Sequence, residues 1–379
     1  MGLTMQRYIK MESKSQIQQS IVSSLPSKPH GILLLSPRIG KTKIMIDIIK
    51  REKPKKILWI TPNENLRDVE IPNEFITWKA KTYLNKTTIV CWASLSKVKG
   101  NYDVVVCDEY QYITEGNSKP FFNGKIKYNY MIGLSGTEPK GLDKQEILSK
   151  LDLTVLNSMT IDEAVSKDLV ADYNIKVILT KLESKEKTIK AGSKDKPFMQ
   201  TESNAYSYIT KRINSIRFSG KKVPDFMYIQ RMHLIKNLES KKKIVKKLIS
   251  TLPGRTLVFA GSINQAEELS EHTHHSKNKA NSKLKDFIDG KVPVLACVES
   301  GGVGTTYRGV DNFIITQVNS NQNGSTTQKI ARSLVPQEGY KATIYLIVAD
   351  DTVDVDWTMK ALEDFNPDKV EWLSAKNYE

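Results

Sequence analysis

GILLLSPRIGKTKIMIDIIKRE, Gly31 to Glu52, packs three kinds of chain into one short span. GILLLS (Gly31–Ser36) is a near-continuous apolar run, the pattern of a strand buried on both faces of a parallel sheet. Ile44, Ile48 and Ile49 then recur at helical spacing. Between the two lies SPRIGKT, in the strand-to-helix context of a phosphate-binding loop. In such a loop successive backbone N–H groups wrap phosphate oxygens, and the helix N-terminus adds partial positive charge. The candidate nucleotide-binding residues are therefore Ser36, Pro37, Arg38, Ile39, Gly40, Lys41 and Thr42. Gly40 lets the backbone approach closely, Lys41 reaches the β- and γ-phosphates of ATP, and the Thr42 hydroxyl holds Mg²⁺. Leu35 stands where the first glycine of GxxxxGKT is usual.

Four more runs of the same kind follow: KILWIT (Lys56–Thr61), TTIVCW (Thr87–Trp92), DVVVCDE (Asp103–Glu109) and YMIGLS (Tyr130–Ser135). The third ends on two adjacent acids, Asp108 and Glu109, which are costly at the end of a buried strand unless a metal and a water use them. Asp108 is read as the Mg²⁺ ligand, directly or through water. Glu109 is read as the base for the water that attacks the γ-phosphate. A second block of strands follows at Arg255–Gly261, Pro293–Val298, Asn312–Val318 and Lys341–Val348, with helical patterns between them. The fold class is α/β, two tandem domains with parallel sheets.

The stretch between the blocks differs. TKLESKEKTIKAGSKDKP reads as an exposed polar loop, and MYIQRMHLIKNLESKKKIVKKLIS as amphipathic helix, one or two, with a basic outer face. Lys241, Lys242, Lys243, Lys246 and Lys247 are its candidate phosphate contacts; a solvated helix covering the second sheet is the competing reading. The chain has 379 residues and a net charge of +15, and Lys181–Ser250 holds 18 basic against six acidic residues. Most of the excess is thus local, as a nucleic-acid-binding face requires, although lysine also serves solubility. Cys91, Cys107 and Cys297 lie too far apart for a disulfide framework or a cysteine zinc site. No apolar run is long enough to span a bilayer, and the start MGLTMQRYIK lacks the features of a secretory signal. A cytoplasmic protein without membrane contact is expected.

Taken in order, GKT, the DEYQ of Asp108–Gln111, the SGT of Ser135, Gly136 and Thr137, and the QKIAR of Gln328–Arg332 resemble the superfamily 2 helicases and translocases, small phage members included. The resemblance covers nearly the whole chain. It implies two RecA-like domains, here 1–158 and 226–379 joined by a linking region at 159–225, with ATP·Mg²⁺ between them. It makes Lys41, Asp108, Glu109, Gln328 and Arg332 the catalytic set, and Ser135, Gly136 and Thr137 the coupling segment. TPNENLRDVEIPNEF resembles an early nucleic-acid-contacting motif, with Thr61, Pro62 and Asn63 at its head. Ser262 in LVFAGSINQAEEL and Lys277 in HHSKN complete the candidate strand contacts, and Gly304 and Thr305 in VESGGVGTTYRGVD the nucleotide contacts. SQIQQSIV resembles a glutamine element that reads adenine, through Gln18, with Gln16 and Gln19 as alternatives.

Three departures stand out. Arg38 and Ala331 replace usual glycines, and Val335 occupies the place of a second sixth-motif arginine, leaving Arg332, with Arg308 or Lys341 as possible substitutes. The resemblance implies an ATP-dependent motor on nucleic acid, DNA ahead of RNA, with room for a protein partner that directs loading. The alternative is an ATP-switched binding or annealing protein with weak hydrolysis. A third reading, an ATPase acting on a protein partner, conflicts with the basic centre.

Overall fold

The computed structural model describes residues 14–138, 141–193, 195–278, 283–298, 307–318, 325–337 and 339–378. The chain forms two compact units: Met1–Ala171 with Asn321–Ala331, and Asp172–Ser320 with Arg332–Glu379.

The first unit opens with helix α1 (14–24) and continues through β1 (Gly31–Leu35), α2 (Lys41–Glu52) and β2 (Ile57–Thr61). Next come α3 (Ile71–Thr77), α4 (Lys81–Leu84), β3 (Thr87–Cys91), β4 (Gly100–Asp108), α5 (Glu115–Phe122) and β5 (Ile126–Ser135). The unit closes with α6 (Leu142–Lys150), β6 (Val155–Met159) and α7 (Ile161–Ser166). Its six strands run in the order β3-β2-β4-β5-β1-β6, every pair parallel. Parallel strands need a crossover between them, so the sequence alternates strand and helix. Both sheet faces are then covered, which is why Ile57–Thr61 is buried at every position. A parallel sheet also gathers all its carboxyl ends on one edge, and that edge positions the site described below.

The second unit contains β7 (Asp172–Thr180), the antiparallel pair β8 (Ile189–Gly192) and β9 (Pro197–Gln200), and helices α8 (Glu202–Phe218), α9 (Asp225–Lys236) and α10 (Glu239–Thr251). It continues with β10 (Thr256–Ala260), α11 (Ile263–Leu269), β11 (Thr273–His274), α12 (Leu284–Ile288), β12 (Val294–Val298) and β13 (Asn312–Ile315). Helix α13 (Ser325–Ser333), most of which groups with the first unit, leads into β14 (Lys341–Ala349), and α14 (Val353–Leu362) and β15 (Val370–Ser374) follow. Seven strands in the order β11-β12-β10-β13-β14-β7-β15 form a second all-parallel sheet.

Two expectations need correction here. Residues 159–225 were expected to link two domains, yet β7 pairs with β14 over its full length and with β15 on its other side. Its alternating DYNIKVILT hides a strand that the other, continuous runs advertise. Part of the expected polar loop is likewise the β8–β9 hairpin. The second correction concerns the lysines of α10. Lys241 is fully buried and ion-paired with Asp354, and Lys242 is buried against Glu239 and Glu268. Lys243 pairs with Glu186 on the surface, so Lys246 and Lys247 are what remains of the expected basic face. The buried stripe Ile244, Val245 and Leu248 packs α10 on the second sheet, as the competing reading required. Among the described residues no helix is long and apolar enough to cross a membrane.

Candidate nucleotide site

The phosphate loop leaves the carboxyl end of β1 at Ser36 and enters α2 at Lys41. Gly40 caps that helix in the left-handed region, φ 92°, where a side chain is strained. A Cβ at Gly40 would also lie 2.5 Å from the Gln18 amide nitrogen. That amide is the loop's brace: Gln18, buried in α1, donates to the Ile39 carbonyl at 2.7 Å. Gln18 was expected to read adenine, and here its Nε2 is committed to the loop backbone; Gln16 and Gln19 are exposed on the same helix. Lys14 adds a second brace by donating to the Arg38 carbonyl at 2.8 Å, and burial beside the Arg38 charge lowers its pKa. Arg38 in turn donates through Nε to the Ala331 carbonyl at 2.9 Å.

Gln18→Ala should therefore act on the loop. Losing one buried hydrogen bond costs about 1 kcal/mol, and the ATP KM should rise about fivefold with kcat nearly unchanged. A steady-state ATP titration measures both, and a KM equal to that of the parent would contradict the brace.

Strand β5 lies between β1 and β4, so three loops meet at one sheet edge. Lys41 Nζ donates to the Leu35 carbonyl at 3.3 Å. Gly136 sits against it: a Cβ there would be 3.3 Å from Pro37 and 3.5 Å from Lys41 Nζ. Asp108 is buried at the end of β4, and its pKa is raised by burial and by the Glu109 charge, with Lys41 opposing. The backbone there is anchored by Trp92, whose indole donates to the Asp108 carbonyl at 3.0 Å.

Glu109 occupies the left-handed region, φ 49°, which turns the chain sharply at the strand end. Its Oε2 accepts from the side-chain amides of Gln111, at 2.6 Å, and Gln328, at 3.2 Å. Gln328 belongs to the stretch that groups with the first unit, so the sixth motif contributes to this site. Oε1 has no hydrogen-bond partner among the described residues, which leaves a held carboxylate with one accepting oxygen. From Gln111 the line continues, because its Oε1 accepts from Ser135 Oγ at 2.8 Å, and Ser135 Oγ accepts from Thr137 N at 3.2 Å. Lys144, which the sequence reading missed, donates to the Gln111 carbonyl at 2.5 Å.

These residues fit ATP and Mg²⁺. A hydroxyl in the first turn of α2 (Thr42) and a buried carboxylate at the end of β4 (Asp108) are hard oxygen donors of the kind Mg²⁺ takes. Among the described residues no cluster of three or more His, Cys, Asp or Glu exists that could hold a metal unaided. An ion held by Thr42 and Asp108 would fill the rest of its shell with phosphate oxygens and water.

The candidate strand contacts sort differently. Thr61 is fully buried with its hydroxyl unpaired among the described residues, so of the three candidates at that motif's head only Pro62 and Asn63 reach the surface. Asn63 accepts from Leu66 N at 3.0 Å and starts the helical turn that follows. In the second unit Ser262 caps α11 by accepting from Gln265 N at 3.2 Å and donates to Asn237 at 3.1 Å. Lys277 is exposed in the turn after β11, at the same carboxyl edge of that sheet. Gly304 and Thr305 lie outside the described residues.

Val335, where a second arginine was sought, is a buried core residue at 3% exposure. Arg308 precedes β13, and Lys341 begins β14 and pairs with Asp172. Both therefore sit at the amino edge of the second sheet, opposite Ser262. Arg332 is left, half-buried in the last turn of α13.

No family model matches the chain, and no curated protein is similar to it. Solved structures do match. An ATP-dependent Type ISP restriction-modification enzyme, LlaBIII bound to DNA, aligns with a TM-score of 0.57 at 13% identity over 97% of this chain. The chain spans 31% of that enzyme's length. S. cerevisiae Dbp5 bound to RNA and ADP BeF3 aligns at 0.55 with 11% identity, covering 96% of this chain and 90% of Dbp5. The Pyrococcus furiosus Hef helicase domain aligns at 0.50 with 12% identity, covering 92% and 97%. This chain shares its fold with all three.

Proposed function

We propose that the chain is an ATP-dependent nucleic-acid helicase or translocase that acts on DNA. The observation that carries the reading is the hydrogen-bonded line Gln328–Glu109–Gln111–Ser135, which joins three motifs at the edge where Lys41 and Asp108 lie. Mg²⁺, when bound, offsets phosphate charge and orients the γ-phosphate. Lys41 supplies the protein's own cation, and Glu109 Oε1 accepts a proton from the attacking water while two neutral amides hold the carboxylate without quenching its charge. Since Gly136 packs on Lys41 and Ser135 bonds to Gln111, a change at the γ-phosphate reaches the 135–137 segment through two independent contacts. That is a route from chemistry to strand movement.

Basic charge and nucleic-acid-bound structural neighbours support the partner class; one of those neighbours holds DNA and another RNA. A labelled duplex with a single-stranded overhang tests the reading. ATP should drive strand displacement from a DNA duplex faster than from an RNA duplex, and displacement at the same rate without ATP contradicts it.

The buried Val335 favours one second reading, an ATP-switched binding protein with slow hydrolysis. Arg332→Ala separates the two. A finger stabilises charge that develops on the transferring phosphoryl group, so in a motor its loss should cut stimulated turnover about 10³-fold at unchanged ATP affinity. In a switch, turnover is already slow and should change little.

A further inference from the structure

Helices α8 and α9 pack on each other through Ile209, Ile213, Val223 and Met227, a small core separate from that of the second sheet. The turn that joins them is unusual. Phe218, the last residue of α8, is 91% exposed, and Phe226, in the first turn of α9, is 61% exposed. Arg217, Lys221 and Lys222 are exposed around them. From Ser203 to Lys236 there are seven basic residues and a single acid, Asp225.

Scattered exposed apolar side chains are normal. Two phenyl rings displayed at one turn and interleaved with three cations are a different matter, because the combination has matching chemistry. Flat apolar faces suit unstacked bases, and the cations between them suit a phosphate backbone. A third ring lies along α8, where Tyr208 is exposed with the Arg212 guanidinium 5.6 Å from its centroid. Arg217 is already oriented by Tyr228, whose hydroxyl accepts from its Nε at 3.3 Å.

Resting on the nucleic-acid reading above, we propose that the α8–α9 turn is a binding site for single-stranded nucleic acid. Bases stack on Phe218 and Phe226, and Arg217, Lys221 and Lys222 hold the intervening phosphates. An anionic membrane is the weaker fit, since Ile209, Ile213 and Met227 are spent on the helices' mutual core and Ile229 alone extends the exposed rings along α9. A protein partner has no particular need of so one-sided a charge.

The test uses the full chain without nucleotide and fluorescent 20-mers of oligo(dT) and oligo(U), with phosphatidylserine vesicles as a third arm. Phe218→Ala/Phe226→Ala should weaken oligonucleotide binding about tenfold for each ring lost. Phe218→Trp/Phe226→Trp should retain it, since a larger ring stacks at least as well. Lys221→Gln/Lys222→Gln should lower the slope of log affinity against log salt by about 1.4, roughly 0.7 per cation on a single strand. Parental affinity in the double alanine variant overturns the site and leaves the proposed function standing. A wild-type chain that binds neither oligonucleotide overturns both. Loss of vesicle binding with oligonucleotide binding intact assigns the turn to a membrane and also overturns the site.

Discussion

Glu109→Gln protein is expected to bind ATP with nearly the parental affinity and to lose turnover by 10³-fold or more. The substitution keeps the shape of the side chain, and its amide still accepts through one oxygen, so the Gln111 and Gln328 contacts can persist. What disappears is the basic oxygen that takes the water's proton. Lys41→Ala should also abolish turnover, but by a different path. It removes the ammonium beside Gly136 and should weaken ATP binding as well. Nucleotide titration by fluorescence together with a phosphate-release assay separates the two signatures. Parental turnover in Glu109→Gln would contradict the assignment of the base.

Lys241→Ala should be the most destabilising single change in the second unit. Its ammonium and the Asp354 carboxylate are both fully buried, and Asp354 Oδ2 also accepts from Ala349 N at 2.9 Å. Removing the lysine strands a carboxylate in the interior, at a cost of about 3–5 kcal/mol. For a unit of this size that corresponds to a loss of about 10 °C in Tm. The double variant Lys241→Met/Asp354→Asn should recover most of it, because no charge is then left alone and the amide oxygen can still serve Ala349 N. Thermal unfolding followed by circular dichroism reads both effects. A single variant melting within 2 °C of the parent would show the pair to be unimportant.

The parallel cores of both units were legible because strands buried on both faces write themselves as continuous apolar runs, as Val104–Cys107 and Leu257–Ala260 do. Strand β7 was not, since Asn174 and Lys176 interrupt it with side chains that stay half-exposed. The turn from β1 into α2 and the two acids at the end of β4 could be placed from spacing alone. Their supports were harder to see. Nothing local in Gln18 says that it braces a loop 21 residues away, and Gln328 and Glu109 are 219 residues apart. The burial of Lys241 was also legible. This residue stands three residues from Leu238 and from Ile244 and four from Val245, which is the inward stripe of α10, so its burial with a counter-ion was implicit in the helical period. The exposure of Phe218 and Phe226 has no sequence signature, because it depends on which faces of α8 and α9 pack together.

Phosphate release by the purified wild-type chain, measured with and without single-stranded DNA at low salt, tests the central claim most directly. The account predicts a rise of tenfold or more on adding DNA, lost in Glu109→Gln and diminished as salt is raised. A rate that is the same with and without nucleic acid would contradict it.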